Sequence, residues 1–189
     1  MNYKYLPFLF TIVAMTMSIS SCSEDDTPLP AVNEEEVITT LNVFLTDTAG
    51  NTITFSFVDL DGDGGNAPTI TGGTLMTGMT YSGSMTLLNE SETPAEDITI
   101  EIQEEDEEHQ FFFSSNDATF AYTDQDSLGN PVGLTFDMAT GSMSNPSAAM
   151  TVVLRHEPDK AGVGVSDGDI TNAGGETDIE VTFPFELNM

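Results

Sequence analysis

An antiparallel β-sandwich of about eight strands with one acidic α-helical crossover is the architecture this chain predicts. Three observations lead there. Short runs rich in Val, Ile, Thr and Phe alternate with polar residues at a period of two. Gly, Asn and Asp clusters separate them at close spacing. One stretch, 93–109, breaks the pattern with a dense run of acids.

The strands follow in order. Val37, Thr39, Leu41, Val43 and Leu45 fall on one face of a first strand. Asp47-Thr48-Ala49-Gly50-Asn51 then turns the chain into a second strand, Thr52 to Val58, so this pair reads as a hairpin. Gly72-Gly73 interrupts the next segment, which resumes at Thr74-Leu75-Met76, and Thr80 to Leu88 forms another strand. After the acidic stretch come Gln110 to Ser114, Ala118 to Thr123, Val132 to Met138, Ala148 to His156 and Thr177 to Leu187. Pro184 lacks a backbone N–H and marks that last strand as an edge or bulged one. Residues 158–176, rich in Gly and Asp, read as a surface loop. Phe111-Phe112-Phe113 reads as core, with at least one ring pointing away because strand side chains alternate.

The acidic stretch reads as a helix on the strength of its start. Thr93 can cap, Pro94 sits where a missing N–H costs nothing, and Glu96 completes a capping box. Ala95, Ile98 and Ile102 then share an apolar stripe, although Ile98, Ile100 and Ile102 also fit a strand. On a helix, Glu101, Glu105 and His109 are successive i,i+4 neighbours, a face suited to a divalent cation. The plainer reading is a solvated acidic face ending in a capping histidine.

Residues 1–21 form a targeting segment: Lys4 followed by an apolar run too short to span a bilayer comfortably. Ile19-Ser20-Ser21-Cys22 resembles the lipobox of bacterial lipoproteins, and Cys22 is the sole cysteine. The resemblance implies cleavage before Cys22 and lipidation there, which anchors the chain stably in a membrane. Ser23-Glu24-Asp25-Asp26 resembles the surface-export signal of Bacteroidota lipoproteins, so residues 22–36 are expected to tether a single domain, 37–189, at the outer face of the outer membrane. With Cys22 lipidated, disulfides and thiolate metal sites are excluded. After Cys22, Arg155 and Lys160 alone stand against 32 acidic residues. That balance argues against nucleic acid and anionic ligands and favours cations.

Two further groups carry chemistry. His109 and His156 are the only imidazoles. If the sheet brings them together, they and Glu105 or Glu101 would make a zinc-like site. Asp59, Asp61 and Asp63, with Gly62 and Gly64, match the front half of a calcium loop. Ile70 stands where an EF-hand needs its bidentate Glu, so a shorter calcium turn is the remaining form. No nucleophile elbow, HExxH or phosphate loop is present, and the chain reads as non-enzymatic.

The blocks EEEVITT (34–40), FVDLDGDGG (57–65), PAED…EEHQFFF (94–113), LRHEPDK (154–160) and ITNAGGETDIEVTFPF (170–185) together resemble a family of small Bacteroidota surface lipoproteins of uncharacterised function. The resemblance implies a surface β-domain. The expectation is therefore an anchored protein binding a divalent metal or a cationic metal complex, accessory to an outer-membrane transporter. The alternative is a glycan- or protein-binding module without a metal.

Overall fold

The computed structural model describes residues 36–62 and 64–189, and residues 34–189 form one compact unit. Cys22, its lipobox, the tether before Glu36 and Asp63 lie outside the described residues. Among the described residues, ten strands form two sheets. In chain order they are β1 (Thr40–Thr46), β2 (Thr52–Val58), β3 (Thr69–Thr71), β4 (Thr74–Met76), β5 (Thr80–Leu88), β6 (His109–Ser114), β7 (Ala118–Tyr122), β8 (Thr135–Thr140), β9 (Asn145–His156) and β10 (Glu176–Asn188), with one helix, α1 (Ile98–Glu104), between β5 and β6. The first sheet runs β3-β2-β1-β5-β8-β7 and the second β4-β10-β9-β6. The strands beyond the expected eight include the three-residue pieces β3 and β4. No helix among the described residues is long and apolar enough to cross a membrane.

The sheets pack through their alternating inward residues. Leu41, Val43 and Leu45 of β1 are fully buried, as their period-two pattern requires, whereas Val37 remains exposed ahead of the strand. Phe55 of the first sheet lies 5.9 Å from Phe183 and 6.0 Å from Phe185 of the second, and Phe113 lies 4.3 Å from Phe136. Such ring contacts add to the large apolar area each Phe withdraws from water. The chain passes between sheets at Gly72, where an added Cβ would sit 1.5 Å from the Pro184 carbonyl oxygen, so no larger residue fits there. Pro184 itself is tolerated because β4 joins β10 only from Glu186 onward; before that point β9 is the only strand laddered to β10.

The helix begins later than the expected cap. The backbone of Glu96 exchanges hydrogen bonds of 3.0 Å with Asn89 in an isolated bridge, so it cannot serve a box with Thr93. Asp97 caps instead, accepting from the Thr99 N–H at 3.1 Å. Ile98 and Ile102 enter the core as expected, while Ala95 stays exposed. The Thr99 hydroxyl accepts from the Leu87 N–H at 2.8 Å and donates to its carbonyl at 3.2 Å, pinning α1 to β5. The helix stops at Glu104 and the acids that follow form turns. Acids at a helix C-terminus oppose the negative end of its dipole, and none of the last turn is basic. His109 is consequently the first residue of β6, although its Nδ1 lies 3.1 Å from the carbonyl oxygen of Glu105, the helix's C-cap.

The loop 158–176 does more than cover surface. Val165 and Ala173 from it bury Phe112 and Val153 in a second apolar cluster on the outer face of the β6–β9 pair. That is why both Phe111 and Phe112 are buried although they point in opposite directions. Lys160 anchors the loop: its buried ammonium donates to the Asp106 carbonyl and to Asp126 Oδ2 at 3.1 Å. Burial opposes the charge on Asp126. The Asn130 N–H and Lys160 outweigh that effect and hold its carboxyl below the usual carboxylate value.

Replacing Lys160 by Met leaves Asp126 buried without its cation and should cost about 3 kcal/mol in denaturant unfolding. Because the folded state depresses the Asp126 pKa, the pair stabilises the protein above about pH 4. This contribution fades as the pH falls through the lowered value. A wild-type minus Lys160→Met stability difference that does not shrink below about pH 4 would contradict this assignment.

Candidate metal centre

The β6–β9 ladder places His109 directly opposite His156. Both rings lie on the inward face, in phase with the buried Phe111 and Leu154. Their centroids are 4.6 Å apart at 48°, so the condition the sequence leaves open, that the sheet bring the two imidazoles together, is met. The third member comes from β10. Thr177 pairs with Arg155 and Ile179 with Leu154, which leaves Asp178 as the extra residue of a β-bulge. A bulge re-aims a side chain that strict alternation would send outward. Asp178 Oδ2 lies 3.9 Å from His109 Nε2, and its Oδ1 lies 3.8 Å from His156 Nδ1. The side chains of His109 and Asp178 are fully buried and that of His156 is 6% exposed.

The hydrogen bonds behind the rings define their roles. His109 Nδ1 lies 3.1 Å from the Glu105 carbonyl oxygen; a carbonyl only accepts, so Nδ1 carries the proton. In the neutral ring, Nε2 is then a bare lone pair turned toward a carboxylate, and it has no hydrogen-bond partner. His156 Nδ1 likewise has none, while its Nε2 faces Glu108 Oε2 at 3.9 Å. Metal-bound histidines characteristically donate their other N–H to a backbone carbonyl or a carboxylate, and Glu105 and Glu108 stand in those places. Burial draws His109 below the ordinary imidazole value of 6.5, with His156 adding to the effect and the Glu105 carbonyl opposing it. The neutral, ligating form is therefore favoured near neutrality.

The dimensions fit a small divalent ion. Bonds of about 2.0–2.2 Å in a tetrahedron separate donors by roughly 3.3 Å. The 3.8 and 3.9 Å found here require the three groups to draw in by about half an ångström. Two imidazoles and one carboxylate suit zinc or another first-row divalent metal and leave coordination positions open.

Of the four residues expected to ligate, His109 and His156 meet. Glu105 contributes its carbonyl to His109, and its carboxylate joins Glu36 and His109 in a neighbouring group of donors. Glu108, His156 and Glu157 form another. Glu101 does not share a helical face with Glu105 and His109, because the helix ends before them. Its carboxyl instead meets Glu36. Burial, that contact and the charges of Glu36 and Glu96 push Glu101 up to about 7. The β-turn acids Asp59 and Asp61 accept from the Gly62 and Asn66 N–H groups, each at 3.0 Å, and join no such donor group among the described residues. Asp178 escaped the sequence reading because its neighbours alternate perfectly and place it outward.

Comparison with protein-family models, with curated proteins and with solved structures yields no match.

At pH 8 the carboxyls of Glu36, Glu96 and Glu101 repel one another, while below about pH 4.5 Glu101 is protonated in both folded and unfolded chains. A raised folded pKa means stability is lost as the pH rises through it. Glu101→Gln should therefore raise the melting temperature at pH 8 and leave it nearly unchanged at about pH 4.5. Equal effects at both values would contradict the raised Glu101 value.

Proposed function

We propose that this chain is a lipid-anchored, non-catalytic protein that binds a divalent metal ion, or a cationic complex of one, through His109, His156 and Asp178. The observation that carries the reading is the orientation of His109. Its Nδ1–H is committed to the Glu105 carbonyl, so its buried Nε2 lone pair, which has no hydrogen-bond partner, faces the Asp178 carboxylate and the His156 ring. Burying such acceptors together is costly unless a cation or a proton joins them. A metal can take a donor atom from each of the two imidazoles and from the carboxylate at once.

The surroundings support capture of a positive ion. A formal charge of −29 raises the local concentration of cations around the whole chain. Glu36, Glu105, Glu108 and Glu157 place further carboxylates beside the two histidines. An acid-lined cleft of about 530 Å³ borders Asp178, with Glu36, Asp59 and Glu180 along its walls. Cys22 would hold the domain at the outer membrane by its lipid, within reach of a transporter to which the ion is delivered. Asp59, Asp61 and Asp63 remain a separate calcium proposal, resting on their spacing.

Zinc titration of the purified protein by calorimetry tests the reading. Micromolar or tighter binding is expected, weakened at least about 100-fold by Asp178→Asn and by His109→Gln, but changed little by Glu101→Gln. Affinity should also fall as the pH drops through the lowered His109 value, where a proton competes with the metal for Nε2. No binding at micromolar zinc, or equal affinity in Asp178→Asn, would overturn this assignment of the ligands. The anchor is tested separately. Cys22→Ser should move the protein from the membrane to the soluble fraction, and retention in the membrane would remove the lipid from the proposal.

A further inference from the structure

Strands β6 and β7 each end their sheet, and between them the sandwich has an open side. Phe113 of β6 and Phe120 and Tyr122 of β7 line a cleft of about 220 Å³ there, facing Thr119 and the turn at Asp167-Gly168. Each of the three rings is only half-buried, although the main core lies directly behind them. Phe113 contacts Phe120 at 5.3 Å and Tyr122 at 6.0 Å, so the rings form one continuous aromatic wall.

That wall is held rigidly. The Tyr122 hydroxyl donates to the Phe111 carbonyl at 2.7 Å, and Gln110 Nε2, which donates to the Val165 carbonyl at 2.9 Å, approaches the same hydroxyl at 3.4 Å. The tyrosine thus spends its polar atom on the fold and offers the cleft a ring. Gly168 sits opposite with φ +91°, and a Cβ there would come within 3.4 Å of the Tyr122 hydroxyl. Only glycine both adopts that backbone and leaves the mouth clear. Asp167 stands exposed at the rim as the neighbouring carboxylate.

We propose that this cleft binds an organic ammonium group, of the size of a trimethylammonium head. Aromatic faces attract a cation through their quadrupole, and alkylated ammonium ions suit such walls because they need no hydrogen bonds. Asp167 supplies the opposing charge, and the acidity of the whole chain excludes anions. One hydroxyl and one carboxylate are too few directed partners for a sugar ring, and too few oxygens for a bare metal ion. The volume is below that of a drug-sized pocket and admits a head group. The site is distinct from the metal centre: His109 and Phe113 are four residues apart on one strand, about 13 Å.

Choline chloride, titrated into the full chain and followed by ligand-observed NMR, provides the test, with 3,3-dimethyl-1-butanol as the uncharged isostere. Saturable choline binding is expected below about 10 mM, with the isostere at least about fivefold weaker. Asp167→Asn and Phe120→Leu should each weaken choline at least about threefold while zinc binding stays unchanged. Asp167 is exposed, so its variant keeps the test valid if Phe120→Leu melts early. Absence of saturation, an equal response to the isostere, displacement of choline by glucose, or unchanged affinity in Asp167→Asn would overturn the assignment.

Discussion

The pairing of β6 with β9 is the contact on which the functional reading rests, because its register sets two imidazoles face to face on the inward side of a sheet. Most other inward positions in this fold are filled by Leu, Val, Phe, Ile and Met. A slip of β6 by one residue would send His109 to the opposite face, away from His156, and bring Glu108 or Gln110 inward. Phe111 against Leu154 and Phe113 against Val152 hold that register, since each has its own place in the core. The polar cluster is thus positioned by apolar packing a few residues away.

The rare cations of the chain support the same region. Arg155 and Lys160 flank His156 in sequence. Lys160 ties the loop 158–176 to the Asp106 carbonyl and to Asp126. Asp106 belongs to the turn that also presents the Glu105 carbonyl and Glu108, so one buried ammonium steadies the partners of both histidines. Arg155 reaches the Gly175 carbonyl at 3.4 Å, just before the bulge that carries Asp178. Glu157 adds a backbone φ of +49°, and its N–H donates to the Glu108 carbonyl at 2.7 Å. A side chain in that left-handed region is uncommon and persists where surrounding structure enforces it.

The acids divide into groups with different work. Asp47, Asp61 and Asp169 have carboxyls held below the usual value by turn hydrogen bonds, led by those from Asn51, Asn66 and Thr171. They fold the turns and solubilise the surface. Glu36 and Glu101 move the other way: burial disfavours charge on both, the charges of Glu105, Asp178 and Glu96 add to it for Glu36 against the lowering contact with Glu101, and Glu36 adds to it for Glu101. That second group lies beside the histidines, where desolvation makes repulsion matter more than it does in open water.

Much of the architecture was legible along the chain. Period-two alternation in residues 41–45, 52–58 and 177–187 reports which face meets the core, because burial acts on each side chain where it stands. The late start of α1 was hidden because Glu96 is claimed by Asn89 through a backbone bridge that no cap motif reveals. The proximity of the histidines was an open condition in the sequence, since 47 residues separate them and strand order settles which meet. Asp178 was invisible for a sharper reason. Composition and spacing specify which groups are present and how each strand is striped, but a bulge arises from two strands accommodating one another. The candidate donor types were therefore written in the chain, whereas their convergence depends on long-range pairing and on one irregularity within it.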